Sequence, residues 1–524
     1  MNILAIDCGT QSLRALLFEH TGKLIDLEKI EYAPYTSPRP GWTEQDPEVF
    51  WSSLCIACQS LKKRQSAVFA RLDGVGVTTQ RDTIINVDKD GDPLRPAIVW
   101  LDIRKAKPVW EPGNIMKILY RFVGMDEAVL KLQVEGKCNW IMQQQPEIWE
   151  KTEKLLMVSG FLNQRLTGEF TDSVASQIGH LPFENKKGRW ARKGELSGKL
   201  FPVEPEKLPT LAQPGEVIGK ITGQASEDTG IPEGVPVIAC GSDKGCETIG
   251  IGVIDESMAS LSFGTTATVQ TTTERYFEPL KFMPPYAAPV PGFYNPEVQI
   301  YRGYWMISWF KNEFGKGEIE EAKRTGNLPE ELLNRLLTEV PPGCLGLVMQ
   351  PYWTPGLRNP SARGAVIGFG DVHNRSYLYR AVIEGLGYAL RDGKEKIEKA
   401  GKLSFERVAV AGGASQSDQI CQITADVLGV ELVRGETYES SGLGAAMVTA
   451  IALGAYPDIR AACSAMVRYK KTFRPDPECA TLYDRLYGVY RKIYPALENL
   501  YSELRDITRY PAFPTEQEET GGTV

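Results

Sequence analysis

Short apolar runs separated by polar turns open the chain, and their spacing predicts a β-hairpin. Residues 2–6 and 13–18 are apolar runs of strand length, and residues 7–12 between them are mostly polar and include a glycine. An amphipathic helix repeats every 3.6 residues over about ten or more positions, and these runs are too short for that. The amino terminus therefore predicts strand, turn and strand.

A similar arrangement begins the second half of the chain. Residues 257–263 predict a strand, residues 264–266 a Gly-Thr-Thr turn, and residues 267–270 a second strand. Further on, a buried-strand pattern at residues 407–410 leads to a Gly-Gly-Ala turn, and residues 417–428 have helical spacing. Because one turn chemistry recurs at the start of each half, we expect two related domains.

The hydrophobic pattern predicts further elements between the two hairpins. Helices are predicted over residues 47–61, 143–157 and 160–166, and strands over residues 72–78 and 97–101.

The length of the chain, 524 residues, exceeds what one hydrophobic core usually organises. We expect residues 1–253 and 254–500 to form two domains, followed by a carboxyl-terminal tail at residues 501–524. The end of that tail, residues 511–524, is polar and contains glycine and proline, which predicts disorder.

Composition and charge exclude several classes of function. The net charge is −7 with both signs interspersed, so we expect no nucleic-acid partner and no anionic membrane surface, which would require a basic stripe. The sequence has no apolar run of the roughly 20 residues that span a bilayer, and it opens without a signal-peptide pattern. Ten scattered cysteines favour free thiols in a reducing compartment. We therefore expect a cytoplasmic protein.

The first candidate site is the turn Asp7-Cys8-Gly9-Thr10-Gln11-Ser12. Glycine lets the backbone approach an anion closely, and the amides and hydroxyls of a tight turn can donate to phosphate oxygens. Asp7, at the end of a buried strand, can hold Mg²⁺ directly or through water. An ordinary hairpin turn whose Asp and Thr bond their own backbone is the alternative. The second turn, Gly264-Thr265-Thr266, favours the phosphate interpretation, because two such turns can clamp one polyphosphate.

A second candidate is Asp243, in the loop Gly241-Ser242-Asp243-Lys244-Gly245 after an apolar run. Phosphoryl transfer to an alcohol needs a group that accepts the hydroxyl proton, and a positioned aspartate can do this. The alternative is that Asp243 caps the helix that begins near Cys246. For this loop taken alone, the two interpretations are equally supported.

Two further patterns suit a nucleotide and a polyhydroxylated ligand. Gly412-Gly413-Ala414, between a strand and a helix, can present amides to a phosphate or ribose, although a tight turn explains it as well. Arg81-Asp82, Trp42-Thr43-Glu44-Gln45-Asp46 and Trp100-Leu101-Asp102-Ile103-Arg104 combine aromatic faces with charged groups, as sites for sugars do. An ion-pair cluster around partly buried tryptophans is the alternative for these residues.

The order of these motifs resembles that of the FGGY carbohydrate kinases, members of the actin-like ATPase superfamily. The resemblance extends from Ile3 to about Tyr494. The motifs that carry it are residues 7–14 and 264–266 (the two phosphate motifs), 42–47, 97–104, 241–243 (the catalytic base), 362–368 and 380–388 (the carboxyl-terminal signature) and 412–414 (the adenosine loop).

By this resemblance the fold is α/β, with two ribonuclease-H-like (actin-like ATPase) domains and an interdomain catalytic cleft. The implied activity is phosphorylation of a hydroxyl of a small carbohydrate or polyol by ATP with Mg²⁺, the sugar on the amino-terminal domain and ATP mainly on the other. Asp243 would be the general base, and Asp7 and Asp243 would hold the metal. The implied substrate-binding residues are Arg81, Asp82, Trp100, Asp243 and Lys244. The implied ATP-binding residues are Thr10, Gln11, Ser12, Arg14, Gly264, Thr265, Thr266, Gly412, Gly413, Ala414 and Ser417.

Two positions depart from the family pattern and leave the substrate open. Gln80-Arg81-Asp82 resembles the Gln-Arg-Glu of glycerol kinases more than the Gln-Met-His of xylulose kinases, and the shorter Asp82 leaves space for a longer polyol or ketose. Lys244 stands where the family commonly has Gln or Asn, and it would pair with an acidic substrate group, with Asp82 or with Asp243.

Two other functions compete with the kinase: an actin-like ATP-driven conformational switch and a catalytically silent sugar sensor. A chaperone of the superfamily usually carries a peptide-binding domain, which this sequence does not show. Asp7 and Asp243 are both present, so the sequence gives no reason for silence and favours the kinase. The resemblance is compatible with a homodimer, but the sequence does not indicate an interface.

Overall fold

The computed structural model describes residues 1–123, 125–354 and 361–510, so the tail predicted to be disordered, 511–524, lies outside the described residues. These residues form two compact units. The first unit comprises Met1–Ile254, Thr272–Asn295 and Glu439–Val467; the second comprises Asp255–Thr271, Pro296–Tyr438 and the residues from Arg468 onward. Two segments of the second half of the chain therefore belong to the first unit.

The strands are β1 (Asn2–Cys8), β2 (Ser12–Glu19), β3 (Leu24–Glu31), β4 (Glu44–Gln45), β5 (Leu72–Thr79), β6 (Ile84–Val87), β7 (Ala97–Ile98), β8 (Lys154–Met157), β9 (Thr171–Ser173), β10 (Phe183–Glu184), β11 (Arg189–Trp190), β12 (Thr210–Ala212), β13 (Val217–Lys220), β14 (Pro236–Ser242), β15 (Met258–Phe263), β16 (Ala267–Gln270), β17 (Tyr286–Ala287), β18 (Tyr294–Asn295), β19 (Glu297–Ile300), β20 (Val348–Gln350), β21 (Ala365–Ile367), β22 (Arg407–Ala411), β23 (Glu431–Gly435) and β24 (Tyr469–Phe473).

The α-helices are α1 (Pro47–Arg64), α2 (Ser66–Phe69), α3 (Asn114–Val123), α4 (Asp126–Glu135), α5 (Lys137–Gln144), α6 (Pro146–Lys151), α7 (Val158–Thr167), α8 (Leu196–Leu200), α9 (Gly223–Thr229), α10 (Asp243–Gly250), α11 (Trp305–Phe314), α12 (Lys316–Thr325), α13 (Pro329–Asn334), α14 (Arg375–Gly401), α15 (Asp418–Leu428), α16 (Ser440–Ala452), α17 (Ile459–Met466) and α18 (Pro477–Thr508). Short 3₁₀ helices are Val174–Ser176, Pro205–Lys207, Arg335–Thr338, Pro342–Gly346 and Gly413–Gln416.

The main sheet of the first unit has the strand order β13-β14-β5-β1-β2-β3. Strand β1 runs antiparallel to β2 and parallel to β5, and β5 runs parallel to β14. Apolar side chains of α1, α7 and α9 share a core with the sheet, and those of α10, α16 and α17 share a second core with it. Helices on both faces explain why the parallel strands are nearly continuous apolar runs.

The main sheet of the second unit, β19-β16-β15-β22-β23-β24, has the same topology. Strand β15 runs antiparallel to β16 and parallel to β22, and β22 runs parallel to β23. Both sheets end in antiparallel strands on each side. The two units thus share one α/β topology, as the recurring turn chemistry predicted.

Most predicted elements are confirmed, including both hairpins, α1, β5, α7, β22 and α15. The helix predicted over residues 143–157 is wrong. Proline has no backbone N–H and restricts the residue before it, so α5 ends and a new helix begins at Pro146. Residues 154–157 then pair with β6 as strand β8. The strand predicted over residues 97–101 is also shorter, because β7 covers only Ala97–Ile98.

Two simpler expectations concern cysteines and membrane helices. All ten cysteines are free, as predicted. Within the described ranges, every helix is too short or too polar to cross a membrane.

Helices α10 and α16 of the first unit pack so closely that glycine is required on each. A Cβ at Gly444 would lie 1.9 Å from the carbonyl oxygen of Cys246, and one at Gly250 would lie 2.0 Å from that of Ser440. Real Cβ atoms do not approach backbone oxygens this closely, so a larger residue would push the helices apart. Helix α10 begins with Asp243, which makes this contact relevant to the candidate base.

We expect Gly444→Ala to lower the free energy of unfolding by about 1–3 kcal/mol through overpacking. The control is Gly488→Ala in α18, where a Cβ would meet no atom within 4 Å. Alanine there should raise stability by up to about 1 kcal/mol, because glycine is unfavourable inside a helix. Thermal unfolding of both variants measures the difference, and equal midpoints would contradict the packing argument.

Candidate active site

The carboxyl ends of three neighbouring parallel strands meet at one edge of the first unit's sheet. Asp7 on β1 is in register with Thr78 on β5, and Thr79 at the end of β5 is in register with Ser242 at the end of β14. Side chains placed just after such strand ends lie close together. The sequence motifs that begin there are the turn after Asp7, the loop Gln80-Arg81-Asp82, and Asp243-Lys244. The structure therefore brings the predicted phosphate turn, substrate loop and base to one edge.

Hydrogen bonds link the turn after β1 to the loop after β5. Thr10 Oγ1 donates to Gln80 Oε1 at 3.1 Å and accepts from Trp100 Nε1 at 2.9 Å. Gln80 Nε2 also donates to the carbonyl oxygen of Gly9 at 3.4 Å. Thr10 and Trp100, which the resemblance assigned to different ligands, are thus in direct contact.

Asp7 is a buried carboxylate with one close cationic partner. Arg14 Nη1 lies 3.4 Å from Asp7 Oδ2, and Arg14 Nε lies 3.3 Å from Glu439 Oε2. Burial raises the pKa of Asp7 to about 7; Arg14 opposes this rise, while the negative charges of Asp243, Glu439 and Glu247 add to it. Asp7 therefore takes up a proton more readily than an ordinary aspartate, and a further cation beside it would stabilise its charged form.

Asp243 is the first residue of α10, but it does not cap the helix. Ser242 is the capping residue, since its Oγ accepts from the backbone N–H of Gly245 at 3.3 Å. Asp243 Oδ1 accepts from the backbone N–H of Lys244 at 2.7 Å. Burial raises the pKa of Asp243, and the cations Arg81 and Lys244 oppose that rise. Ser242 and not Asp243 therefore caps α10, so the capping interpretation of Asp243 is wrong and its carboxylate is not needed for that bond.

Lys244, one of the two departures from the family pattern, pairs with a carboxylate on its own helix. Its Nζ lies 3.2 Å from Glu247 Oε1, one turn further along α10. Burial lowers the pKa of Lys244, but the charges of Glu247 and Asp243 outweigh it, so the pKa is raised. Lys244 therefore stays protonated and lies within the charge network of Asp243.

Asp82, the second departure, is held by two basic residues that the sequence did not indicate. Its Oδ2 accepts from Lys137 Nζ at 2.5 Å and lies 3.2 Å from His180 Nδ1. Burial raises the pKa of Asp82, but Lys137 and His180 outweigh burial and hold the pKa below its usual range. Both side chains therefore lie against Asp82, the residue whose shorter side chain was expected to leave space for a longer substrate. The adjacent Arg81 lies over the ring of Tyr286, 5.4 Å from its centre.

The tryptophan motifs form a structural cluster, as the alternative interpretation stated. The Arg104 guanidinium contacts Trp42 and Trp140, 4.1 Å and 4.6 Å from the ring centres, and the two rings pack edge-on against each other. It donates to both carboxylate oxygens of Asp102 at 2.7–2.8 Å and lies 2.9 Å from Glu44. Only 1% of the Arg104 side chain is exposed, so these residues support the loop that carries Trp100.

The second unit brings its two predicted loops together in the same way. Gly264-Thr265-Thr266 follows β15, and Gly412-Gly413-Ala414 follows the parallel neighbour β22, with Ser262 in register with Ala411. Gly412 has φ +91°, and a Cβ there would lie 2.7 Å from the backbone of Phe263. A Cβ at Gly413 would meet no atom within 4 Å. The loops therefore touch each other and leave open space beside Gly413.

Other predicted ATP-binding residues make local contacts. Ser417 caps α15, because its Oγ accepts from the backbone N–H of Ile420 at 3.3 Å. Thr266 Oγ1 donates to the carbonyl oxygen of Tyr301 at 3.2 Å. Gln11 is exposed, whereas Ser12 is buried at the start of β2. Residues 10–14 belong to the first unit and residues 264–266 and 412–417 to the second, so the predicted ATP-binding set is divided between the units.

The charges around Asp7 suit a hydrated divalent cation. In the described ranges, His, Cys, Asp and Glu side chains do not form a group of three or more that could hold a metal ion directly. Asp7 and Asp243 nevertheless raise the free energy of each other's ionised form. A cation bound through water would relieve that repulsion, so these two residues fit Mg²⁺ with water in its coordination shell.

Sequence reasoning missed Lys137, His180, Glu247 and Glu439. Lys137 and His180 lie 55 and 98 residues from Asp82 along the chain, so their contact has no local signal. Glu247 was accessible to sequence reasoning, since it follows Asp243 by one helical turn and therefore shares its face.

Comparison with known proteins identifies the family. The model of the N-terminal domain of the FGGY family of carbohydrate kinases matches residues 2–250, and that of the C-terminal domain matches residues 259–453. The chain is 28% identical over 512 residues to the xylulose kinase of Lactococcus lactis subsp. lactis (strain IL1403), covering 96% of this chain and 98% of that protein. It is 29% identical over 499 residues to the uncharacterized sugar kinase YgcE of Escherichia coli (strain K12), with coverage of 94% and 93%.

Among solved structures, gluconate kinase from Lactobacillus acidophilus has the same fold. Its TM-score is 0.81 at 21% sequence identity, and the match covers 96% of this chain and 99% of that one. Because the two domain models together match most of the chain, this protein belongs to the FGGY family of carbohydrate kinases and is an enzyme that phosphorylates a sugar or polyol with ATP.

Proposed function

We propose that Asp243 is the general base of this carbohydrate kinase. The observation that carries the proposal is that Asp7 and Asp243 lie at the same edge of the sheet, on the two strands that flank β5, where burial raises the pKa of both carboxylates. Perturbed carboxylates gathered at one site are typical of catalytic centres. A base with a raised pKa takes up a proton more readily than an ordinary aspartate does, which suits removal of a hydroxyl proton.

The proposed step is an in-line phosphoryl transfer. The acceptor hydroxyl oxygen forms a bond to the γ-phosphorus of ATP, its proton passes to the Asp243 carboxylate, and the bond from the γ-phosphorus to the bridging oxygen breaks to release ADP. Arg81 and Lys244, whose charges lower the pKa of Asp243, keep enough of the carboxylate ionised to act as base. The enzyme's contribution is then position and charge, as phosphoryl transfer requires.

In this proposal Asp7 and Asp243 hold Mg²⁺ through water. The ion, when bound, neutralises charge on the transferred phosphoryl group and on the leaving ADP. Arg14 compensates part of the Asp7 charge, while Glu439 and Glu247 add negative charge nearby. Asp7 thus binds the cation through water, and Arg14 stabilises the charged form of Asp7 when no cation is bound.

The nucleotide is assigned to loops of both units. We propose that Thr10, Gln11, Ser12 and Arg14, together with Gly264, Thr265 and Thr266, contact the phosphates, and that Gly412, Gly413, Ala414 and Ser417 contact the adenosine. The open space beside Gly413 supports this assignment, because a backbone without a side chain can lie flat against a base or ribose. The sugar is assigned to residues 1–253, and ATP mainly to residues 254–500.

The sugar site is assigned to Arg81, Trp100, Asp243 and Lys244, with Asp82 beside them. Trp100 offers an aromatic face, and its Nε1 is already bonded to Thr10, which holds the ring in place. The named relatives act on xylulose and gluconate. Both are small polyhydroxylated compounds, so this class of substrate is the one that we propose for the present enzyme.

Asp243→Asn tests the base directly. We expect one compound among glycerol, erythritol, xylulose, ribulose and gluconate to stimulate ADP release by the wild type. The variant should lose kcat by about 10²–10⁴-fold with that compound, because it cannot accept the proton.

Asp458→Asn is the control for the loss of one aspartate charge at a helix start, since Asp458 caps α17 and Asn caps equally well. We expect this control to retain wild-type kcat. If Asp243→Asn retained wild-type kcat as well, Asp243 would not be the base.

Asp7→Asn tests the charge at the end of β1. Folded Asp7 binds its proton more tightly than the unfolded chain does, so its ionisation costs stability as pH rises from about 4 to about 7. The variant should therefore gain about 2–4 kcal/mol of stability relative to the wild type between these pH values. Urea unfolding at pH 5 and pH 8 measures this gain.

The same pair of proteins tests the cation. Mg²⁺ at pH 8 should raise the unfolding midpoint of the wild type more than that of Asp7→Asn. A difference between the two proteins that is independent of both pH and Mg²⁺ would contradict the assignment of Asp7.

Gly413→Val tests the adenosine loop. The added side chain would enter the open space beside Gly413, so we expect the KM for ATP to rise about tenfold or more while the unfolding midpoint stays the same. Gly194→Val is the control, because a Cβ there also meets no atom within 4 Å and Gly194 lies outside the proposed sites. An unchanged KM for ATP in Gly413→Val would remove this loop from the nucleotide site.

A further inference from the structure

A histidine is fixed in orientation by Asp82, next to the proposed sugar site. His180 Nδ1 lies 3.2 Å from Asp82 Oδ2, and the backbone N–H of His180 donates to Asp82 Oδ1 at 3.2 Å. Main chain and ring of one residue thus bind the two oxygens of a single carboxylate. This double contact determines where the imidazole points.

The backbone around Asp82 is shaped for this contact. Asp82 has φ +52°, a left-handed conformation that non-glycine residues seldom adopt. Gly179 has φ +152°, and a Cβ there would lie 2.4 Å from Asp82 Oδ1. The Asp82 N–H also donates to the carbonyl oxygen of Ile178 at 3.0 Å. Two unusual backbone conformations are therefore maintained where Asp82 meets the loop of His180, as happens at functional sites.

Lys137 holds the same carboxylate from within the protein. Its Nζ donates to Asp82 Oδ2, and only 5% of its side chain is exposed. Asp82 therefore accepts from Lys137 and from both the ring and the backbone of His180. A carboxylate has about four acceptor positions, so Asp82 has little capacity left for a substrate hydroxyl.

The outer edge of His180 is available instead. Its Nε2 has no hydrogen-bond partner among the described residues and is not buried, and 22% of the side chain is exposed. Phe201 packs edge-on against the ring at 6.0 Å between centres. Because Nδ1 faces Asp82 Oδ2, Nε2 is the ring nitrogen left for a ligand, and it accepts a hydrogen bond when the ring carries one proton, on Nδ1.

We propose that His180 Nε2 accepts a hydrogen bond from a substrate hydroxyl other than the one phosphorylated. His180 is then a specificity-determining residue, and Asp82 and Lys137 are positioning residues that act through it. The ligand is a polyhydroxylated chain, since it must offer one hydroxyl to Asp243 and another to His180. This inference rests on the proposed function, which places the sugar beside Arg81 and Asp82.

Two variants of His180 separate substrate binding from a structural role. In His180→Asn the amide nitrogen can replace Nδ1 and still donate to Asp82, but the outer acceptor is lost. In His180→Gln the longer side chain can place an acceptor near the position of Nε2. Sugar-dependent ADP release is measured with whichever of glycerol, erythritol, xylulose, ribulose or gluconate the wild type accepts, together with thermal unfolding.

We expect His180→Asn to raise the KM for the sugar about tenfold, the effect of one lost hydrogen bond, with an unchanged KM for ATP and a near wild-type unfolding midpoint. His180→Gln should have a KM for the sugar closer to that of the wild type. A wild-type KM in His180→Asn would show that only the bond to Asp82 matters and would overturn the inference.

Variants of Lys137 provide a second, independent test of the positioning role. Lys137→Met should raise the KM for the sugar without changing the KM for ATP, and Lys137→Arg should restore part of the loss because it retains a cation at Asp82. If Lys137→Met folds and keeps the wild-type KM for the sugar, the positioning role is wrong.

The proposed function and the role of His180 are contradicted by different results. A wild type that phosphorylates none of the sugars contradicts the proposed function, and the inference falls with it. A wild type that is active, combined with a His180→Asn variant of unchanged KM, overturns the inference alone.

Discussion

Burial of carboxylates where parallel strands end is the constraint on which the first unit depends. Removing Asp7 from water raises its pKa to about 7, and burial also raises the pKa of Asp243, which follows β14 on the other side of β5. Only Arg14 lies close enough to Asp7 to form an ion pair with it in the described part of the chain. A carboxylate that is costly to ionise in the folded protein is stabilised when it binds a cation or a proton. The proposed phosphoryl transfer supplies both, since Mg²⁺ accompanies ATP and the acceptor hydroxyl releases a proton.

The same sheet topology serves different chemistry in the second unit. There the corresponding hairpin turn carries Gly264-Thr265-Thr266, and the end of the neighbouring parallel strand carries Gly412-Gly413-Ala414. Neither of these loops contains a charged side chain, and the close approach at Gly412 requires glycine. One unit thus presents carboxylates at its strand ends while the other presents backbone and hydroxyl groups, which suits a division between proton and metal chemistry and nucleotide binding.

Local patterns allowed much of this to be predicted. The two hairpins, the strand before Asp243 and the glycine loop before α15 follow from apolar runs and turn residues within a few positions of each other. The helix predicted through residue 157 was wrong because Pro146 and the pairing of β8 with β6 overrode its helical spacing. Lys137 and His180 could not be predicted, since only the folded chain brings them to Asp82.

The pH dependence of kcat/KM for the accepted sugar tests the central claim, that a buried Asp243 takes the hydroxyl proton. This parameter reports the ionisation of the free enzyme. Burial raises the pKa of Asp243, and its ionised form is the active one, so kcat/KM should fall on the acid side with an inflection above the ordinary aspartate range. An acid-side inflection at or below the ordinary aspartate range would therefore contradict the account.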